Sequence, residues 1–199
     1  QEHILGEGKL LTRSIEADRL SSLIFYGPPG VGKTTLALCI SARTKAAFDS
    51  INAVMSNVEE MRRLIAGAKN RLASSRQRTI LFIDEIHRFN KAQQDVLMPD
   101  VESGTIILIG ATTMNPFFSL VSPLLSRSLV FELKPLTKEN LLQLLARALV
   151  DKERGLGNIS AKVDPKALQF LSEISDGDAR RALNALEVAV LTTPKGEDG

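Results

Sequence analysis

Cysteine is nearly absent, with Cys39 the only one in 199 residues. That excludes an internal disulfide and a cysteine-built metal centre, and it fits a reducing compartment. The setting Leu36-Ala37-Leu38-Cys39-Ile40 predicts a buried, small apolar side chain. Long apolar runs are missing too. The longest, Thr105 to Ala111, is strand length, far short of the roughly 20 residues of a membrane span. No signal-peptide pattern is visible, so no membrane partner is expected and the cytoplasm is the expected location. A charge excess of one sign is also lacking: 25 Lys and Arg against 23 Asp and Glu leave a formal +2. That balance permits a nucleic-acid partner without demanding one. There is no internal repeat and no low-complexity tract. What is present is an ordinary globular composition, 44% hydrophobic, enough for a sizeable core. The chain opens on Gln1, and its last eight residues, Thr192 to Gly199, are polar and rich in Gly, Pro and charge. Both ends read as cuts in a longer protein.

Apolar runs alternate with helical patterns. Ser22–Tyr26, Ala47–Ala53, Thr79–Ile83, Thr105–Ala111 and Ser128–Leu133 read as strands. A helix is expected after the first strand, to about Thr44. A second follows a Ser56-Asn-Val-Glu59 capping box, with Val58, Met61, Ile65, Ala68 and Leu72 on one face. Lys91 to about Val101 reads as another, with Pro99 bending its last turn. This alternation predicts an α/β fold: a five-stranded parallel sheet flanked by helices. After Pro135 the pattern is helical only. Thr137 is a cap, with Leu136 packing on Leu141; Asp164-Pro165 starts a helix; Gly177-Asp178 ends one and begins the next. Residues 1–134 therefore read as an α/β nucleotide-binding domain and 135–199 as a small three-helix lid.

Between the first strand and its helix lies Gly27-Pro28-Pro29-Gly30-Val31-Gly32-Lys33-Thr34, the GxxxxGK[ST] phosphate loop in the context it requires. Its glycines let backbone N–H groups face phosphate oxygens, and the helix start adds its positive dipole end. Pro28, Pro29, Gly30, Val31, Gly32, Lys33, Thr34 and Thr35 are the candidate ATP-binding residues, with Lys33 for the β- and γ-phosphates and Thr34 for Mg²⁺. The strand ending in Asp84-Glu85 supplies the second half. Asp84 can hold Mg²⁺ through water, and Glu85 can polarise the attacking water as general base. Arg62, Arg63, Lys69, Arg71, Arg76 and Arg78 form a basic stretch, readable either as a track for a DNA backbone or as a solvated helix face. No aromatic residues are interleaved with it, so base stacking is not indicated.

These features, with Gly110-Ala-Thr-Thr113, Leu124-Leu-Ser-Arg127 and Gly177-Asp-Ala-Arg-Arg-Ala-Leu183, resemble the AAA+ ATPases. The resemblance implies a P-loop AAA+ module. Thr113 becomes the first sensor, Arg127 an arginine finger acting on a neighbouring subunit's γ-phosphate, and Arg180 the second sensor; Arg181 reads as solvated. Leu136 and Ala179 are implied contacts for the adenine base. Asn52 reads either as a restraint on Glu85 or as a plain strand end. Asp84-Glu-Ile-His-Arg-Phe-Asn-Lys-Ala-Gln-Gln-Asp95, with Asn115-Pro116 and Asn184, is similar to the RarA/MgsA family, the bacterial relatives of the Werner-helicase-interacting ATPase. Met114 and Asp100 depart from its usual residues. The family implies a DNA-dependent, oligomeric ATPase in replication-fork maintenance, recombination and repair, associated with the nucleoid. Its implied partners are single-stranded, gapped or forked DNA and replication proteins, with assembly through a C-terminal region beyond this chain. A clamp-loader-like subunit and a nucleotide-gated scaffold are the alternatives. Asp84-Glu-Ile-His87 also imitates a helicase box, but such helicases need two RecA-like domains. His87 is instead expected to pack or hydrogen-bond beside the site.

Overall fold

The structure, a computed structural model, describes residues 1–159 and 161–193. Residues 194–199, assigned above to the second domain, lie outside those described. Chain contacts divide the protein into two units: Gln1–Gly27 with Gly32–Leu133, and Pro28–Val31 with the residues from Lys134 onward.

The first unit is built on five parallel strands, β1 (Ser22–Tyr26), β2 (Ala47–Asn52), β3 (Thr79–Asp84), β4 (Ile106–Thr112) and β5 (Ser128–Glu132), in the order β2-β3-β4-β1-β5. The central strands are continuous apolar runs, as strands covered on both faces must be. Every residue of β4 is buried. The half-buried edge strands carry polar residues such as Asp49 and Ser128, and ring contacts fasten them: Phe25 lies 6.2 Å from Phe131, and Phe48 lies 6.1 Å from Phe82. On one face, Ile24, Leu81, Ile83, Ile106 and Leu108 pack with Met61, Ile65 and Ala68 of α4 (Val58–Ser75) and Leu97 of α5 (Lys91–Glu102). Alternation sends Leu23, Phe25, Ile80, Phe82 and Ile109 to the other face, where α3 (Lys33–Ala42) meets β3 and β4.

Five short elements escape the periodicity reading: α1 (Glu2–Leu5), α2 (Leu10–Glu16), a 3₁₀ turn at Ile86–Arg88, α6 (Pro116–Ser119) and α7 (Ser122–Ser126). None is long enough to show two turns of an apolar stripe. The α4 cap moves by one residue. Asn57, not Ser56, accepts from the Glu60 N–H at 2.9 Å, because the Ser56 N–H is already bonded to the Asn52 carbonyl in the preceding turn. Pro99 sits inside α5, which continues through it to Glu102.

Cys39 is exposed, contrary to the expectation of burial. The buried face of α3 is carried by Lys33, Leu36, Ala37 and Ile40, so Leu38 and Cys39 project from the other side of the cylinder. In the folded protein Cys39 should therefore react with a maleimide at about the rate of a free thiol. Labelling that waits for denaturant would contradict this placement.

The second unit holds α8 (Lys138–Val150), α9 (Pro165–Ile174) and α10 (Ala179–Thr192) around Leu141, Leu145, Ala182 and Leu186. The predicted caps form: Thr137 with the Asn140 N–H (3.2 Å), Asp164 with the Lys166 N–H (2.8 Å) and Asp178 with the Arg181 N–H (3.1 Å). Leu136 packs against this core.

Candidate nucleotide site

Parallel strands carry β1, β3 and β4 to one carboxyl edge, where ligands of open α/β sheets bind. The phosphate loop leaves that edge at Gly27. Gly30 (φ +70°) and Gly32 (φ +97°) are left-handed, a conformation that keeps side chains out of the loop and turns its amides. Gly30 also allows a close approach within its own unit. A Cβ there would fall 1.7 Å from Asp178 Oδ1, and the Ala179 N–H donates to the Gly30 carbonyl at 3.1 Å. Val31 is buried and anchors the loop. Lys33, 8% exposed, donates from Nζ to the Gly27 carbonyl at 2.7 Å, which draws the ammonium across the mouth of the loop. α3 starts at Lys33, and by helix geometry its first N–H groups have no partner within the helix. Thr34 and Thr35 are exposed in that first turn.

At the end of β3, Asp84 Oδ1 accepts from the Glu85 N–H at 3.1 Å. Glu85 has φ +53° and ψ +42°, uncommon for a side chain of its size and the kind of outlier that functional sites retain. Its Oε2 lies 3.2 Å from His87 Nδ1 and 3.4 Å from Thr113 Oγ1, the latter long for a hydroxyl donor. His87 Nδ1 is also 2.9 Å from Thr112 Oγ1. The chain thus gathers Asp84, Glu85 and Thr113 as the motifs predict. It adds Thr112, which the motifs had not signalled, and the hydrogen bonding expected of His87 beside the site takes the form of contacts with Thr112 and Glu85. Asn52 faces Asp84 across the β2–β3 pair, but its Oδ1 accepts from the Val54 N–H at 2.9 Å in its own turn.

Arg127 lies elsewhere. β1 and β5 pair in register from Ser22↔Ser128 to Tyr26↔Glu132, so Arg127 stands at the amino edge of the sheet. The phosphate loop starts one strand length away, about 16 Å at 3.3 Å per residue, further than an arginine side chain spans. Arg127 pairs with Glu102 at 2.7 Å, donates to the Pro123 carbonyl at 3.1 Å, and borders a cleft of about 600 Å³ with Arg78 and Glu102. In the second unit Arg180 is exposed in the first turn of α10, while Ala179 and Leu136 are partly buried against that unit's core. Half of the basic stretch is spent internally: Lys69 on Asp100 (2.9 Å), Arg71 on Asp49, and Arg78 on Asp18 (3.6 Å). Arg62, Arg63 and Arg76 remain exposed.

Among the described residues, no group of three His, Cys, Asp or Glu side chains could cage a metal, and no helix is long and apolar enough to cross a membrane. A hydroxyl (Thr34) and a carboxylate (Asp84) are a hard-oxygen set that suits Mg²⁺, which binds through few protein ligands, waters and phosphates rather than a full cage.

Residues 23–136 match the sequence model of the ATPase family associated with various cellular activities (AAA), and residues 157–199 match that of the AAA C-terminal domain. The chain is 50% identical over its whole length to replication-associated recombination protein A of Haemophilus influenzae, covering 44% of that protein. It is 45% identical to the Bacillus subtilis protein of the same name, covering 46% of it. It is 46% identical over 96% of its length to the ATPase WRNIP1 of Dictyostelium discoideum, covering 22% of that protein. The chain thus spans less than half of these curated relatives. Among solved structures, RuvB of Thermotoga maritima, described as a Holliday junction branch migration motor, superposes with a TM-score of 0.70 at 28% identity, over 89% of this chain and 57% of that one. A variant of the same protein gives 0.76 at 27% identity, over 94% and 60%. With the family model covering more than half of its length, and relatives that bear out the resemblance to replication-associated recombination protein A, the chain belongs to the AAA family of ATPases.

Proposed function

We propose that the chain binds MgATP and hydrolyses it within a homo-oligomer that acts on DNA in replication-fork maintenance and recombination. The observation that carries the reading is the grouping of Asp84, Glu85 and Thr113 on the sheet edge from which the phosphate loop departs. The backbone of Pro28 to Gly32 cradles the phosphates. Lys33 exchanges the Gly27 carbonyl for phosphate oxygens, and Thr35 lies in the same helix turn. Thr34, and Asp84 through water, are the residues that would hold Mg²⁺, which when bound offsets phosphate charge. Glu85 takes the proton of the attacking water, and Thr113 orients that water. Arg180, in the first turn of α10, is the second-sensor candidate, and Leu136 and Ala179 are the candidates for contact with the base. The strand length between Arg127 and its own loop supports a role for it as an arginine finger on a neighbouring copy. That arrangement makes assembly part of the chemistry.

The DNA part of the reading rests on the names of the relatives and on the exposed Arg62, Arg63 and Arg76. In the full-length protein, turnover should rise several-fold with single-stranded, gapped or forked DNA over the DNA-free rate, and the gain should shrink with added salt as phosphate contacts are screened. ATPase activity indifferent to all three DNA forms would remove DNA from the account, and no turnover under any condition would remove the enzyme.

A further inference from the structure

The contact between His87 and Glu85 has no part in the mechanism above. The hydroxyl of Thr112, on a fully buried residue, has three neighbours. It accepts from the Met114 N–H at 3.0 Å, lies 3.4 Å from the Met114 carbonyl, and lies 2.9 Å from His87 Nδ1. A carboxylate oxygen only accepts, so Glu85 Oε2 at 3.2 Å from His87 Nδ1 favours the proton on Nδ1, with the Thr112 oxygen as a second acceptor at 2.9 Å. That N–H then faces two oxygens, Thr112 Oγ1 and, at 3.2 Å, Glu85 Oε2. It is a nearer donor to the carboxylate than the Thr113 hydroxyl at 3.4 Å.

The ring is held firmly. The His87 side chain is 8% exposed and sits in the 3₁₀ turn that follows Glu85. Ile86 pins that turn: it is fully buried and packs where β4 has Gly110, at which a Cβ would come within 3.0 Å of Ile86 Cδ1. Glu85 itself stands in a left-handed backbone conformation and is partly open to solvent, its side chain 30% exposed. It therefore needs a fixed donor to select one carboxylate orientation.

We propose that His87 is a positioning residue for the general base: its Nδ1–H, shared with Thr112, orients the Glu85 carboxylate toward the attacking water. The proposal rests on the reading of Glu85 as the base. Loss of the donor leaves the base in place but poorly aimed, a defect of about 10- to 100-fold in kcat, with little change in the affinity for ATP.

The test uses the full-length protein with His87→Ala, His87→Asn and His87→Gln, each alone and with Glu85→Gln, measuring kcat, KM and the Kd of a fluorescent ATP analogue. An asparagine amide N–H falls where Nδ1–H was; a glutamine amide falls near Nε2. The expected result is a kcat loss in His87→Ala and His87→Gln, substantial recovery in His87→Asn, Kd within about twofold throughout, and no further loss when His87→Ala is added to Glu85→Gln. Equal losses in all three variants, unchanged kcat in His87→Ala, or losses seen only as weaker ATP binding would each overturn the positioning role while leaving Glu85 as base. Parental turnover in Glu85→Gln alone would instead overturn the assignment of the base, and with it this proposal.

Discussion

Glu85→Gln should bind ATP within about twofold of the parent and turn it over about 10²–10⁴-fold more slowly, the range in which general-base catalysis operates. The expectation follows from what the carboxylate touches. Oε2 faces a ring N–H and a hydroxyl, both of which an amide oxygen can still meet, so the substitution keeps shape and contacts and removes only the capacity to take a proton. The phosphate loop, with Lys33 bonded to Gly27, uses none of these atoms, which is why binding should survive. Retained turnover would show that another group accepts the proton; lost binding would show that Glu85 holds the site together instead.

Arg127→Ala should bind ATP normally and lose about 10³–10⁵-fold in kcat in the assembled protein, the magnitude of an arginine finger supplied by a partner. Folding should change little. The Arg127–Glu102 pair is roughly half exposed on both sides, 43% and 47%, and pairs of that kind contribute no more than about 1 kcal/mol. The same weakness lets Arg127 leave Glu102 when a neighbour's phosphates approach. A matching loss in a dilute, dissociated preparation would argue against action in trans, since there the parent should already be slow.

How far residues announce structure differs sharply along this chain. β1, β3 and β4 were legible because strands covered on both faces must be unbroken apolar runs, and the phosphate loop because its glycines and lysine have fixed spacing around a strand and a helix. Asp84 and Glu85 followed from their place at a strand end. The short helices were not legible, since four to seven residues display no period. Cys39 was misjudged because an apolar stretch of helix does not reveal which side faces the sheet; burial at Leu36, Ala37 and Ile40 decides it. The basic stretch looked continuous in sequence, yet Lys69, Arg71 and Arg78 find acids from α5, β2 and the turn after α2, partners that only the fold brings near. His87 is the same kind of case. Its position beside Glu85 was visible, but its contact with Thr112, 25 residues further along, is made only by the fold.

The central claim is that one active site is shared by two copies, with Glu85 from one and Arg127 from the next. Mixing full-length Glu85→Gln with full-length Arg127→Ala, each nearly inactive alone, tests it. In a ring of randomly mixed copies, about a quarter of the interfaces pair an intact Glu85 with an intact Arg127, so the mixture should recover roughly that fraction of the parental ATPase rate. A mixture no faster than its inactive components, under conditions in which the two variants demonstrably co-assemble, would contradict the shared site.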